Sequence, residues 1–529
     1  MTRPFRVLVL DRVDPSGLEI LGQLAQVDAR DAISPQDLLE IIGGYDALMV
    51  RSATRVTAEV LAAGKRLKIV GRAGVGVDNI DVPAATQHGV VVVNSPEGNT
   101  IAAAEHAVAL MMAVSRRVTS ADAAMKGGLW ARERFVGTEL YQKTLGILGL
   151  GKIGARVAKV ARALGMQVLG CDPFLTVERA QDLGVEPVSF DELLSKSDVI
   201  SLHVPKTPET HHLFDATNLS RCKPGVRLVN CSRGGIIDEA ALVEAIRSGH
   251  VAAAALDVFE KEPLGESALR ELGDRIVLTP HLGASTEEAQ IKVAVDVAEQ
   301  IVAVLGGGSA RSAVNIPSLR PEWVESVRPL LPLAEKVGSL AAQLHQGPIE
   351  RIDVLFQGAL AGKPVDPLLT AALKGVLGNA VGESVNYVNA SHVARERGIE
   401  VRESRSSEVK DYAELLSVTV HGKSGWHTVA GTILGDGDAR IVRIDEHAFS
   451  LKPVGDILVA THQDRPGMIG IVGTLLGELG VNIFGFQLGR RYRNGPALMV
   501  LNVEDPITPD GMARLDAIDG IDGVRFVRF

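Results

Sequence analysis

The chain has 529 residues, 46% of them hydrophobic, and a formal net charge of −9. That length predicts three or four domains with real cores, and an acidic balance without a long basic run argues against nucleic acid as a partner. No apolar stretch approaches the ~20 residues of a membrane span, and Cys171, Cys222 and Cys231 form neither a C-x-x-C pair nor a zinc spacing, so neither a disulfide framework nor a metal is expected. A reduced, cytoplasmic protein is the simple reading. The opening MTRPFRVLVLD runs straight into a strand, without signal-peptide architecture.

In chain order, Arg6–Leu10 reads as a short apolar strand followed by Asp11. Strand-like pieces recur at Ala47–Val50, Leu67–Val70 and Val90–Val93, with helical patterns such as Pro35–Ile42 and Ala58–Ala63 between them. The alternation predicts a parallel, doubly wound α/β sheet. This first lobe has no G-x-G-x-x-G, so the nucleotide is not expected there. Ile101–Arg117, rich in Ala, Leu and Met, predicts a buried or dimer-facing helix.

Thr144–Asp172 carries the strongest signal. An apolar strand, Leu145–Leu148, leads into Gly149, Gly151 and Gly154 as G-x-G-x-x-G. A helix, Arg156–Leu164, and a strand, Met166–Cys171, follow, and Asp172 closes the unit. The first glycine permits the tight turn, the second lets a pyrophosphate approach the backbone, and the third lets helix pack on strand. The helix start offers free N–H groups to the phosphates. A carboxylate at Asp172 accepts from ribose hydroxyls and disfavours a 2′-phosphate, which selects NAD over NADP.

Further strands are expected at Val199–His203, Arg227–Asn230, Ala252–Leu256 and Ile276–Leu278, then a helix at Thr286–Leu305. Gly306–Ser312, GGGSARS, reads as the clearest linker. Ile316–Val454 shows mixed helix and strand without a catalytic pattern; Arg402, Arg405 and Lys410 make a loosely basic patch that a solvated loop explains equally well. From Gly455 the order is strand, helix, two strands, helix, strand, a ferredoxin-like βαββαβ module ending in Gly523–Phe529.

Three clusters stand just beyond successive strands, where a doubly wound sheet places its site. They are VNCSRGGIID with Arg233, ALDVFEKEP with Asp257 and Glu262, and LTPHLGAST with His281. Removal of a hydride and a hydroxyl proton needs a base near neutral pKa and a cation for the substrate's carboxylate. Arg233 would clamp the carboxylate bidentately. His281 would accept the proton, and Glu262 would orient its ring and favour imidazolium.

These clusters, with RAGVGVDNID and GLGKIG, resemble the D-isomer-specific 2-hydroxyacid dehydrogenase family, and the likeness covers the whole chain. Its long form, with an intervening domain and an ACT domain, is the nearest pattern. The resemblance implies a discontinuous, flavodoxin-like substrate lobe of residues 1–98 and 284–316. A Rossmann-type NAD lobe would occupy 99–283, an α+β intervening domain 317–454 and an ACT domain 455–529. It implies NAD-dependent oxidation of 3-phosphoglycerate at the head of L-serine biosynthesis. It also implies feedback by L-serine, a dimer or tetramer, and a side activity on 2-oxoglutarate.

Carried over by motif, Lys152 and Ile153 would lie on the pyrophosphate, His203 and Val204 in the nucleotide cleft, and Cys231 and Ser232 near the nicotinamide. Asp257 would hold the carboxamide, and Gly283 and Ala284 would complete the cofactor site. Gly74, Val75 and Gly76 would give N–H groups to the substrate's carboxylate. Arg51, with Ser52, would face its phosphate, and Arg132 or Arg134 would reach a partner subunit's site. In HQDRPGMIG, His462 and Asp464 would form an effector site, with Asn482 supplied by a paired module. Two other readings use the same clusters: a general hydroxypyruvate or glyoxylate reductase, and a non-enzymatic NAD-sensing corepressor.

Overall fold

The apolar runs of the first half become buried parallel strands in the computed structural model, which describes residues 4–316, 323, 326–381, 385–435, 437–490 and 495–529. Phe5–Leu10, Ala25–Arg30, Ala47–Val50, Ile69–Arg72 and Val91–Val93 form one five-stranded parallel sheet. Its spatial order, 2-1-3-4-5, is flavodoxin-like. One expected strand is displaced: Leu67 turns back onto Gly64 through its N–H. The strand therefore runs Ile69–Arg72 and delivers Arg72 to the sheet's C-terminal edge.

The helix Glu287–Leu305 returns to this sheet. Val293, Val297 and Ile301 pack among Val7, Val9, Met49 and Ile69, and a Cβ on Gly71 would stand 2.4 Å from Val297. The glycine–serine stretch after it is not a free linker. Arg311 pairs with Asp296 at 2.9 Å and Glu299 at 2.6 Å, and Val314 donates to the Val92 carbonyl at 2.7 Å. Those ties lay 311–315 along the sheet's edge. The expected boundary after 316 adjoins residues 317–322, which lie outside the described residues.

The second sheet has seven parallel strands. In space they run Ile276–Leu278, Val251–Leu256, Val226–Asn230, Val199–Leu202, Thr144–Leu148, Gln167–Cys171 and Glu186–Pro187. Strand order reverses between Thr144–Leu148 and Val199–Leu202, so a crevice opens where Gly149 and His203 follow them. The helix Lys152–Ala163 buries Gly154, Ala155, Val157, Ala158 and Ala161, the spacing of one helical face.

The third sheet is mixed and six-stranded, from Arg351–Gly358 to His447–Leu451, with the helices Leu330–Leu344 and Asp366–Val381. The basic patch suggested by sequence is neutralised in part, since Arg402 pairs with Glu400 and Arg405 with Glu403 on the edge strand Glu400–Ser406. The last sheet is antiparallel, in the order Ile483–Arg490, Pro496–Val503, Asp456–Gln463, Ile521–Val527, as a ferredoxin-like module requires. Its two faces are both apolar. Leu458 and Ala460 meet the module's own helices, while Ile457 and Val459 join Leu333 and Val337 in the preceding domain's core. Period-2 alternation thus welds the two C-terminal units together.

Candidate active site

Each glycine of the nucleotide turn has a distinct reason in the geometry. Gly149 has φ 90°, and a Cβ there would meet the His203 carbonyl oxygen at 2.5 Å. At Gly154 it would meet the Gly149 oxygen at 2.0 Å. At Gly151, the cap of the helix Lys152–Ala163, it would meet nothing within 4 Å. That open surface, beside first-turn N–H groups without intrahelical acceptors, suits a pyrophosphate. Asp172 Oδ2 accepts from the Leu150 N–H at 2.7 Å, which ties the ribose-side carboxylate to the same turn. NAD fits these groups.

Around them the expected residues take mixed positions. His203 bonds the Ser201 hydroxyl at 2.8 Å, and burial pushes its imidazole down to about 4, so it is neutral at pH 7. Val204 lies beside Gly149, and Ile153 and Ala284 are half-buried. Lys152 departs from expectation. Its ammonium is drawn to Glu97 at 2.5 Å, across the crossing between lobes, rather than held over the turn. Ser232 donates through N–H and hydroxyl to Asn230 Oδ1, at 3.0 and 2.8 Å. Cys231 is half-buried, and burial pushes its thiol up, so it is no thiolate.

Asp257 also departs from expectation. Its side chain is 0% exposed, and it accepts from Thr279, Leu282 and Gly283 at 2.6, 2.7 and 2.9 Å. Burial alone would raise its carboxyl; hydrogen bonds from His106, Thr279 and the Leu282 N–H hold it below its ordinary value. It is a brace beneath the loop, not an open ligand for a carboxamide.

The loop carries His281, whose Nδ1 lies 2.8 Å from Glu262 Oε2. A carboxylate only accepts, so Nδ1 carries the proton and Nε2 keeps its lone pair. The Glu262 bond raises the His281 pKa against the effect of partial burial. Partial burial works to raise Glu262, but its bond to His281 outweighs that and holds the carboxyl low. The pair is a proton acceptor with its own counter-ion.

Arg233 reaches from the nucleotide lobe to the other lobe. Its Nε donates to Asp78 Oδ2 at 3.2 Å and its Nη1 to the Ser232 carbonyl at 2.8 Å. A Cβ on Gly76 would stand 2.2 Å from its Nη2. Of the expected N–H cradle, Gly74 is spent on the Arg72 carbonyl at 2.8 Å. Val75 and Gly76 have no N–H acceptor among the described residues. Arg72 donates to the Gly76 carbonyl. Burial first, then the charges of Arg233 and Arg51, push its guanidinium down. Three arginines stand at one end of the cleft, and only two were expected: Arg72 and Arg233 meet at Gly76, and Arg51 follows the strand paired with that of Arg72, its guanidinium donating to the Arg12 carbonyl at 3.5 Å. The missed signal was a charged residue closing a strand beside a glycine loop. Arg51 gives its N–H to Asp11 at 2.9 Å, and Ser52 is exposed beside it. Arg132 and Arg134 sit on an exposed turn, Arg132–Phe135, whose described contacts are with Arg117 and the Phe135 ring.

The expected effector residues do not converge within one chain. Asp464 is paired with Arg490 at 3.2 Å. His462 is buried beside it and bonds the Gln463 carbonyl at 2.8 Å. Asn482 donates to Glu504 at 2.6 Å, at the opposite end of the sheet.

A nucleotide turn, an arginine clamp and a His–Glu pair set between two lobes define an NAD-dependent dehydrogenase of the D-isomer-specific 2-hydroxyacid type. Residues 108–283 match the model of the D-isomer specific 2-hydroxyacid dehydrogenase NAD binding domain, and 326–445 that of the D-3-phosphoglycerate dehydrogenase intervening domain. The D-3-phosphoglycerate dehydrogenase of Synechocystis sp. is 53% identical over 508 residues, 96% of this chain and 91% of that one. The one from Archaeoglobus fulgidus is 45% identical over 99% of both. Among solved structures, D-lactate dehydrogenase from Aquifex aeolicus, complexed with NAD and lactic acid, superposes with a TM-score of 0.53 at 29% identity. The match covers 59% of this chain and all of that one. The chain belongs to the D-3-phosphoglycerate dehydrogenase family. No described helix is long and apolar enough to cross a membrane.

Proposed function

We propose that the chain oxidises D-3-phosphoglycerate to 3-phosphohydroxypyruvate with NAD, the first committed step of L-serine biosynthesis. The observation that carries this reading is the grouping of Arg51 and Arg72 at the ends of two paired strands with Arg233 against Gly76, in a cleft that also holds the His281–Glu262 pair. A substrate with a carboxylate at one end and a phosphate at the other suits more cation than a monoanionic hydroxyacid needs.

In this reading Arg233 and the N–H groups of Val75 and Gly76 hold the carboxylate, and Arg51 and Arg72 face the phosphate. His281 Nε2 accepts the hydroxyl proton, and Glu262 stabilises the imidazolium that forms. Bound NAD supplies the acceptor for the hydride leaving C2. Gly151, Ile153 and Asp172 would hold it. Arg134 would serve a second copy's site. Trp130 and Val136, 75% and 72% exposed on the same segment, support an assembly of at least two chains. L-Serine would bind between paired C-terminal modules, since Asp464 and Asn482 stand at opposite ends of one sheet. 2-Oxoglutarate, whose second carboxylate suits the phosphate end, would be a slow side substrate.

The test is Arg51→Ala assayed on phosphorylated and unphosphorylated substrate. A loss of kcat/KM on the order of tenfold or more, confined to the phosphorylated acid, is expected for removal of one charged contact. An equal loss on both would instead favour a general hydroxyacid reductase.

A further inference from the structure

Beneath the His281 loop lies a polar cluster that the roles above leave unused. His106 projects from the helix Thr100–Arg116, the first element after the chain enters the nucleotide lobe. Its neighbours on the buried face are apolar: Ala102, Ala103, Ala107 and Leu110. Its Nε2 lies 3.1 Å from Asp257 Oδ1 and 3.2 Å from Thr279 Oγ1. Thr279 donates to that same Oδ1 at 2.6 Å. Thr279 spends its one hydroxyl proton on Asp257, so toward His106 its oxygen can only accept and the proton of the imidazole sits on Nε2.

What this pair holds is the turn itself. The Asp257 carbonyl accepts the His281 N–H at 2.9 Å. Its carboxylate accepts the next two N–H groups, Leu282 to Oδ1 at 2.7 Å and Gly283 to Oδ2 at 2.9 Å. Three successive amides are thus fixed by one residue. His281 has φ 55°, a left-handed backbone that a residue with a Cβ keeps only when its surroundings enforce it. A leucine would fill the place of His106 without the cost of burying an imidazole.

We propose that His106 is a positioning residue for proton transfer: it orients Asp257 and Thr279, and through them the turn that aims His281. This rests on His281 being the proton acceptor. His106 makes no contact with the reacting atoms in this role; it acts from a segment 173 residues before Thr279 in sequence, and it couples the helix at the lobe crossing to the loop that does the chemistry.

The experiment compares His106→Leu, which removes the donor, with His106→Gln, which keeps one, in NAD reduction by D-3-phosphoglycerate, with thermal midpoints measured alongside. The leucine variant should lose kcat on the order of tenfold to a hundredfold, as expected for a misaimed group, with KM for NAD and substrate unchanged. The glutamine variant should recover most of that loss at a similar thermal midpoint. Wild-type kcat in His106→Leu, or equal impairment in both variants, would overturn the proposal. Should His106→Leu fail to fold, Thr279→Val against Thr279→Ser poses the same question. Loss in the valine variant alone supports the role, and equal kcat refutes it. His281→Ala, run in parallel, separates the premises. Near-wild-type turnover there would overturn the acceptor assignment and the proposal together. An inactive His281→Ala beside a normal His106→Leu would overturn the positioning role alone.

Discussion

Gly76→Ala asks whether close approach of backbone and guanidinium sets the substrate clamp. A Cβ at residue 76 would lie 2.2 Å from Arg233 Nη2 and 2.7 Å from Asp78 Oδ2. Ordinary contact begins at 3.4 Å, so going from 2.2 to 3.4 Å moves the guanidinium by about 1.2 Å. Both obstacles are ends of side chains, and the backbone at Gly76 is not in the left-handed region. The folding cost should therefore be small and partly offset by the stiffer unfolded chain, leaving a net change within about 1 kcal/mol. Catalysis should suffer far more. A displacement of that size in a group that orients the substrate costs on the order of a hundredfold, or about 2.7 kcal/mol of transition-state stabilisation. The assay is steady-state kcat/KM for the phosphorylated acid, with the thermal midpoint and NAD affinity of the same preparation. The expected result is a large fall in kcat/KM with midpoint and NAD affinity nearly unchanged. A variant with wild-type kcat/KM would refute the clamp geometry.

The other predictions concern the turn and the proton. Gly151→Ala meets no atom, so it should leave the NAD-free protein within about 1 kcal/mol of wild type while weakening NAD; calorimetric titration with NAD checks this. Gly154→Ala would put a Cβ 2.0 Å from backbone and should destabilise the fold by about 1–3 kcal/mol or more, read as a drop in thermal midpoint without cofactor. Oxidation needs His281 neutral, and Glu262 raises its pKa. The rate should therefore fall as pH drops through a pKa above the ordinary imidazole value. Glu262→Gln should move that limb to lower pH while cutting kcat on the order of a hundredfold; an unmoved limb in the pH profile would exclude the pair as the titrating unit.

Local features were the legible ones. Gly149, Gly151, Gly154 and Asp172 announce themselves because turn, helix start and acid are contiguous in sequence. Arg233, Glu262 and His281 could be picked out since each follows a strand of one sheet. Long-range partners were not legible. Asp78 meets Arg233 across 155 positions, and nothing in RAGVGVDNID says which acid turns toward the cleft. Asp257 looked like a ligand because the family resemblance carries that role to ALDVFEKEP; only the fold reveals that Thr279, Leu282 and Gly283 close over it. Lys152 sits where a phosphate contact belongs, yet Glu97, from the lobe crossing, claims its ammonium. The shared C-terminal core escaped notice for a simpler reason. Ile457–Ala460 reads as a buried strand whichever element covers its second face.

The most direct test of the central claim is NADH consumption by the purified protein with 3-phosphohydroxypyruvate against unphosphorylated hydroxypyruvate. The grouping of Arg51, Arg72 and Arg233 predicts a clear preference for the phosphorylated acid in kcat/KM, cut on the order of tenfold or more in Arg51→Ala. Equal rates on the two acids, or faster turnover of hydroxypyruvate, would contradict the assignment and leave a general hydroxyacid reductase in its place.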